Sequence, residues 1–292
     1  MQKPSTTALG YFGAISGAMI WGVGPFFFRQ LDAFPVAEII SMRILVASLL
    51  LSVFFFGFQR HRLSEFEGIT LKQYLLFFLC AWLVLGNWSV FVFAVSIERI
   101  VEAALGYYVY PLVAASLGML VLKERAEPRT LIALALALVA VVIKGSLLPN
   151  FPWIAVALAS TFGIYAILRK RLAIATDTGT MIETVMLFPL GLIYVVWQLS
   201  TGTPIIFGGG TFGYSMAVLC GLFTTVPLLL FHIGNRYLPM SVSGLLFYIN
   251  PTLQLAVGII FGEPFTGVDM IVFALIWTGL AVQFLTPHLR RS

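Results

Sequence analysis

Long apolar runs recur along the whole chain, and they constrain its fold more than any other feature. Of the 292 residues, 60% are hydrophobic and 10% are charged, whereas a soluble domain carries about 25% charged residues. So few charged side chains cannot cover a water-facing surface, and they also exclude a disordered chain. The runs therefore predict an all-α integral membrane protein, because an apolar run of about 20 residues spans a bilayer as a helix.

Ten of these runs are long and apolar enough to be predicted as transmembrane helices. At about 20 residues a span, they leave about 90 residues for loops and termini. That remainder is too short for a soluble ATP-hydrolysing domain. The predicted spans are residues 8–28, 36–57, 73–95, 101–122, 130–148, 152–168, 180–199, 212–234, 241–261 and 267–286.

Lys and Arg residues are concentrated in alternate loops. With the N-terminus in the cytoplasm, most of the 17 Lys and Arg residues fall on the cytoplasmic side, as the positive-inside rule requires. Arg29, Arg99 and Lys144 then fall in outer loops. We expect a multi-pass protein of the inner (plasma) membrane with both termini cytoplasmic. The net charge of +5 follows from this asymmetry, so membrane lipids are expected partners and nucleic acid is not.

The two halves of the chain are similar at an offset of 140 residues. The register holds across spans one to four and six to nine, so each half has five spans, in residues 1–149 and 150–292. An odd number of spans forces the second half to enter the membrane inverted, as in secondary transporters with a midplane substrate site. Matching pairs include Pro111 and Pro251, Gly118 and Gly258, Tyr108 and Tyr248, Phe91 and Phe231, and Cys80 and Cys220.

Pro111 and Pro251 lie in the middle of matching spans. Each proline removes one backbone hydrogen bond and bends its helix. Two interpretations stay open: a static packing kink, or a pair of hinges that shape a cavity, one in each half.

Seven short stretches, spread over nearly the whole chain, carry a family resemblance. They are Trp21-Gly22-Val23-Gly24-Pro25, Glu38-Ile39-Ile40-Ser41-Met42-Arg43, Gly86-Asn87-Trp88, Leu105-Gly106-Tyr107-Tyr108-Val109-Tyr110-Pro111-Leu112, Met181-Ile182-Glu183-Thr184, Thr224-Thr225-Val226-Pro227-Leu228 and Phe247-Tyr248-Ile249-Asn250-Pro251-Thr252. At these residues the chain resembles the drug/metabolite transporter superfamily, whose EamA-type members have ten helices in two inverted five-helix repeats. Within it, the chain looks like the RarD branch, which is named for chloramphenicol sensitivity.

The resemblance implies an inner-membrane permease, and relatives in the superfamily export amino acids and other metabolites. The chain departs from the pattern at Tyr110, where the family leads us to expect the asparagine that this chain keeps at Asn250. A symmetric pair of amides is therefore not expected.

Arg43 is a charge within the second span. A charge at bilayer depth costs at least ~2.5 kcal/mol and so usually faces a cavity or a partner. We expect Arg43 to pair with Glu102 or Glu38, or to bind an anionic group of a substrate, because its guanidinium can bind both oxygens of a carboxylate.

Glu183 is the counterpart of Arg43 in the second half, and inversion places it in the opposite, inner half of the membrane. It could carry a proton together with His232, because histidine as a residue type titrates near neutral pH. The alternative for His232 is a packing role near a helix end. Expected partners of Glu183 are His232, Arg236, Arg169 and Lys170.

Polar and aromatic residues near the middle of the spans are candidates for a substrate cavity. The polar candidates are Asn87, Tyr110 and Asn250, although asparagine also forms hydrogen bonds between membrane helices. Gln254 lies one turn after Asn250, on the same face. An aromatic wall is expected from Trp21, Trp88, Tyr107 and Tyr248.

We therefore expect a secondary transporter or facilitator that exports a small organic solute by alternating access: an amino acid, a related metabolite or a drug-like molecule. A channel, a non-transporting receptor and, less favoured, an intramembrane enzyme are the alternatives. No catalytic set, metal or cofactor is expected. The small residues of span five suit either a homodimer face or internal packing; they are Ala133, Ala135, Ala137 and Ala140.

Overall fold

The computed structural model describes residues 4–31, 34–58, 64–97, 99–147, 151–202, 209–261 and 266–285. Within these ranges all regular structure is helical. The helices are α1 (Pro4–Gly22), α2 (Gly24–Phe28) with a 3-10 turn (Arg29–Leu31), α3 (Val36–Phe58), α4 (Ser64–Glu67), α5 (Leu71–Ser96), α6 (Ile100–Val121), α7 (Pro128–Ser146), α8 (Trp153–Leu172), α9 (Thr176–Thr201), α10 (Gly210–Tyr237), α11 (Met240–Leu246), α12 (Ile249–Ile260) and α13 (Gly267–Leu285).

The all-α membrane class is confirmed. Nine helical stretches in the described part of the chain are long and apolar enough to cross a bilayer, the first from Thr6 to Leu31 and the ninth from Met240 to Ile260. The tenth predicted span corresponds to α13, whose apolar stretch, Gly267–Gln283, is shorter. The predicted span ends at residues 148 and 286 lie outside the described residues.

Local sequence rules account for several helix ends. Thr70 caps α5, because its hydroxyl accepts a hydrogen bond from the backbone N–H of Gln73 while the Gln73 side chain accepts one from the backbone N–H of Thr70. Pro128 begins α7, where its missing N–H costs nothing. Gly202 ends α9 with a φ of +67°, a conformation that favours glycine.

The two matching prolines have different effects on the backbone. Pro111 lies inside a continuous α6, whereas a turn at Phe247 and Tyr248 separates α11 from α12 just before Pro251. Pro251 has no N–H to donate to the carbonyl of Phe247, four residues earlier, and its ring clashes with that carbonyl. The second of the two predicted bends is therefore a break in the helix, and whether either site is a hinge stays a prediction.

The helix contacts follow the two-fold pattern that the offset predicts. α1 packs on α10, and their counterparts α8 and α5 pack on each other. α6 packs on α8. The counterparts of α6, which are α11 and α12, pack on α1, which is the counterpart of α8. α3 pairs with its own counterpart α9, and α7 pairs with α13. Tyr108 and Tyr248 are also counterparts, and the hydroxyl of Tyr248 donates a hydrogen bond to the Tyr108 carbonyl at 3.0 Å.

These contacts interleave the two sequence halves. We call α5, α6 and α8 the first bundle, and α1, α10, α11 and α12 the second bundle; each contains helices from both halves of the chain. α3 and α9 lie between the bundles and contact both, and α11 and α12 also pack directly on α6 of the first bundle. The division predicted at residues 149 and 150 stays a prediction.

Small residues set the closest approaches between helices. A Cβ atom on Gly13 would lie 2.6 Å from the Leu230 carbonyl oxygen of α10, and one on Gly106 would lie 2.9 Å from the Ala155 carbonyl oxygen of α8. Ala133, like Ala137 and Ala140, is buried in a cluster that α7 shares with α13, so these three serve internal packing. Ala135 is exposed, and the homodimer stays a prediction.

We predict that Gly13→Ala destabilises the protein by about 1–3 kcal/mol, the usual cost of overpacking, because its methyl group would push α1 away from the α10 backbone. The measurement is unfolding of the purified protein in detergent. Gly86→Ala is the matched control, since a Cβ atom there has nothing within 4 Å among the described residues. Equal stability of the two variants would contradict the packing argument.

Candidate functional site

A cavity lies between the two bundles and α3. It contains about 460 Å³ of space not occupied by atoms, and part of that space is open to the outside. Aromatic side chains make most of its wall, and the remaining lining is Gly24 and four polar side chains. The aromatic residues are Trp21, Phe28, Trp88, Phe91, Tyr107, Phe162, Phe223 and Phe247; the polar ones are Arg43, Asn87, Asn250 and Gln254.

The structure brings six of the predicted site residues together in this cavity, although they come from five helices distant in sequence. Their role as substrate contacts stays a prediction. The six are Trp21, Arg43, Asn87, Trp88, Tyr107 and Asn250.

Two aromatic rings and one hydrogen bond hold the side chain of Arg43 in place. It is 3% exposed, and its Nε donates a hydrogen bond to Thr224 Oγ1 at 2.9 Å. The Cζ atom lies 4.9 Å from the centroid of the Phe28 ring and 4.6 Å from that of Trp88, so both rings face the cation. Nη1 of Arg43 is buried and has no hydrogen-bond partner among the described residues.

The expected pairing of Arg43 with Glu102 or Glu38 is wrong. Glu102 forms an ion pair with Arg99, one helical turn away, and accepts a hydrogen bond from the backbone N–H of Ile154 at 2.8 Å. Glu38 accepts a hydrogen bond from Gln198 Nε2 at 3.1 Å. Each carboxylate has a partner nearer the helix ends.

The amides of the cavity also bind other helices. Asn87 Nδ2 donates to the Leu158 carbonyl at 2.9 Å and to Thr161 Oγ1 at 3.0 Å, both on α8. Gln254 Nε2 donates to Asn250 Oδ1 at 2.7 Å, while Oε1 of Gln254 is buried with no hydrogen-bond partner among the described residues. The same amide side chains therefore form hydrogen bonds within the protein and also line the cavity.

Five predicted site residues lie outside the cavity lining: Glu102, Tyr110, Glu183, His232 and Tyr248. Tyr110 lies behind the wall, with its ring centroid 4.7 Å from that of Phe247. Tyr248 packs with Tyr108 in the cluster around α7 and α13. The turn between α11 and α12 places Phe247 at the cavity and Tyr248 in that cluster, so the aromatic wall is completed by Phe247.

Glu183 belongs to a separate buried network. Its Oε1 lies 2.9 Å from Nε of Arg169, and both side chains are almost fully buried. The hydroxyl of Tyr165 donates to Glu183 Oε2 at 2.9 Å, and His232 Nε2 lies 2.6 Å from the same hydroxyl oxygen. Of the expected partners, Arg169 is confirmed; His232 joins through Tyr165, which the sequence analysis did not identify.

Lys170 closes the end of the protein that is predicted to be cytoplasmic. Its Nζ donates at 2.8 Å to Glu124 Oε1 and at 2.8 Å to the Leu238 carbonyl. Glu124 Oε2 accepts a hydrogen bond from the backbone N–H of Met240 at 2.9 Å. These bonds join the ends of α6 and α8, in the first bundle, to the start of α11 in the second.

Comparisons with known proteins assign the chain to a family. Residues 8–144 match the EamA-like transporter family. A Vibrio cholerae serotype O1 protein named "Uncharacterized transporter" is 35% identical, over 92% of this chain and 89% of its own length. The chain belongs to the EamA-like transporter family. Protein RarD of Escherichia coli strain K12 is 31% identical to this family member, over 94% of each chain.

The fold of this EamA-type transporter also matches a solved structure. A crystal structure of another protein covers 97% of this chain, and the match covers 98% of that protein, with a TM-score of 0.70 at 17% identity. At that identity the likeness concerns the fold alone. The resemblance to the drug/metabolite transporter superfamily and its RarD branch is confirmed, and the chain is a multi-pass membrane transporter of this type.

We predict that Glu183→Gln lowers the free energy of unfolding by about 3–5 kcal/mol, because it removes the carboxylate from the buried ion pair with Arg169. Glu127→Gln is the matched control. Glu127 pairs with Arg129 but its side chain is 58% exposed, so its loss should cost about 0–1 kcal/mol.

Unfolding in detergent measures both variants, and the double variant Arg169→Met with Glu183→Met should be more stable than Glu183→Gln alone. Similar losses in the free energy of unfolding for the two Glu→Gln changes would show that the buried ion pair stabilises the protein no more than the exposed one.

Proposed function

We propose that this transporter exports a small organic solute across the inner membrane by alternating access, and that the solute passes through the cavity between the bundles. The observation that carries the proposal is the position of the cavity: its wall combines side chains from both bundles and from α3. A relative rotation of two such bodies would change the side on which the cavity opens.

The bonds around Lys170 support a gating role for one end of the protein. They connect the two bundles directly, so this end opens only when they break. With both termini in the cytoplasm, as the Lys and Arg distribution favours, the closed end is cytoplasmic. The empty transporter would break these bonds to take up solute from the cytoplasm, and the loaded transporter would form them again before release outside.

The lining suits an amino acid, a related metabolite or a drug-like molecule of similar size. Its rings offer apolar area, and a few polar groups fix the orientation of a bound molecule. We propose Trp21, Arg43, Asn87, Trp88 and Asn250 as solute contacts, together with Tyr107. The solute gradient or a coupled ion would supply the energy, and membrane lipid would cover the exposed apolar side chains of the outer helix faces.

The proline positions favour movement at one place in the second bundle. The turn at Phe247 and Tyr248 leaves α11 and α12 as separate segments, and Phe247 contributes to the cavity wall. We propose that Pro251 keeps this turn open as a hinge. Pro111 would serve as its counterpart in α6. Gly244 of α11 packs closely against it, because a Cβ atom added to Gly244 would lie 3.3 Å from Pro111 Cα.

We predict that a single cysteine at Asn250 reacts with a charged, water-soluble thiol reagent mainly from the outer side of the membrane. The background is Cys80→Ala with Cys220→Ala, because both native cysteines are buried. Reaction rates are compared in right-side-out and inside-out vesicles. Ala140→Cys is the control, since Ala140 is buried outside the cavity and should react from neither side.

Adding Lys170→Gln should raise the rate for the Asn250 cysteine from the inner side, because it removes the bonds from Lys170 to Glu124 and Leu238. Equal rates from both sides without that change would indicate a continuous pore and favour a channel. No reaction from either side, with or without Lys170→Gln, would argue against the cavity as the solute path.

A further inference from the structure

Arg43 is an uncompensated positive charge at the cavity. Among the cavity-lining residues it is the one with a formal charge. The acidic groups that could have neutralised it are bonded elsewhere: Glu38 to Gln198, Glu102 to Arg99, and Glu183 to Arg169. From the sequence, Arg43 could pair with a carboxylate or bind an anionic ligand, and the described structure contains no partner carboxylate for it.

Burial makes this charge costly. An ionised group removed from water needs a counter-ion or a full set of hydrogen bonds. Arg43 has one side-chain hydrogen bond, from Nε to Thr224, and two ring contacts, while its buried Nη1 has no hydrogen-bond partner in the part of the chain that the structure describes. An anion bound at the guanidinium would supply the missing counter-charge, and a guanidinium is suited to a planar carboxylate.

The aromatic lining would by itself suit a cation, because cations bind over ring faces. Here the faces of Phe28 and Trp88 are already occupied by the guanidinium of Arg43. A second cation in the same cavity would be repelled by that guanidinium. The aromatic lining therefore serves the neutral part of a ligand, and the charge of Arg43 selects against cationic solutes.

Part of the cavity wall suits an apolar or aromatic body. The centroid of Trp21 lies 5.6 Å from that of Phe162 and 6.0 Å from that of Phe247, so these rings form one continuous apolar surface. Gln254 also lines the cavity, and its buried Oε1, which has no hydrogen-bond partner within the described ranges, can accept a hydrogen bond from an N–H or O–H group of the ligand.

We propose that the solute is an organic anion: a carboxylate on an apolar or aromatic body, with the carboxylate bound at the guanidinium of Arg43 and the body against Trp21, Phe162 and Phe247. This inference rests on the proposed transport through the cavity, and it names the substrate class.

Three probes of similar size test the proposal on the purified protein: phenylacetate, its uncharged amide phenylacetamide, and the cation phenethylamine. Binding is followed by tryptophan fluorescence, since Trp21 and Trp88 line the cavity, and by the shift in the unfolding temperature. Saturable binding of phenylacetate, at least about tenfold tighter than of the amide, is expected for a hydrogen-bonded charge pair. Phenethylamine should not bind.

Variants assign the effect to Arg43. Arg43→Gln should weaken phenylacetate binding about tenfold or more and remove the preference over the amide, whereas Arg43→Lys should keep part of the preference. Arg29→Gln is the matched control, because Arg29 is exposed and contacts the ring of Phe261 outside the cavity. If Arg43→Gln does not fold, the comparison of the three probes on the unmodified protein still decides.

The possible failures are distinct from those of the transport proposal. Equal binding of phenylacetate and its amide, preference for phenethylamine, or no saturable binding of phenylacetate would each overturn the anion assignment. Sided reactivity of the Asn250 cysteine would then still support transport of another solute class. Loss of that sided reactivity would remove the transport proposal, whatever the probes show.

Discussion

Close contact at small residues holds the helices of this protein together. In lipid the helices gain nothing from leaving the solvent, so their association depends on tight packing and on hydrogen bonds between helices. Gly13 on α1 and Gly106 on α6 place backbones against each other, whereas the rings of Trp21, Phe162 and Phe247 keep helices apart at the centre. The cavity lies between the two bundles, which Lys170 links at one end.

Arg43 and Glu183 occupy equivalent positions in the two halves, yet their surroundings differ. Glu183 is neutralised by Arg169 and hydrogen-bonded by Tyr165, so its charge is used within the protein. Arg43 lines the cavity, and its buried Nη1 has no hydrogen-bond partner among the residues that the structure describes. Of the two equivalent sequence positions, one therefore carries an ion-paired charge and the other a charge without a carboxylate partner in the described structure. That difference gives the cavity its preference for one sign of ligand charge.

Much of the fold could be read from the sequence, because span length, helix-breaking residues and the repeat register are local or periodic signals. Arg43, Asn87 and Asn250 were identifiable as polar residues at membrane depth. The phenylalanines of the wall were not, since the chain has 26 of them and no pattern marks those facing a cavity. Thr224 and Tyr165 were missed as partners because each bonds a residue of another helix, and single-helix patterns do not record such contacts.

The central claim is that the two bundles move against each other around the cavity. Electron-spin distance measurements on the reconstituted protein test it most directly. One spin-label pair would be at Arg171 and Arg236, on the end closed by Lys170, and a second at Val23 and Ile97, at the opposite end; all four residues are exposed. If the bundles move in this way, each pair shows two distances. The longer distance at one end then occurs together with the shorter distance at the other end. A single, unchanging distance at both ends in every solute condition would contradict it.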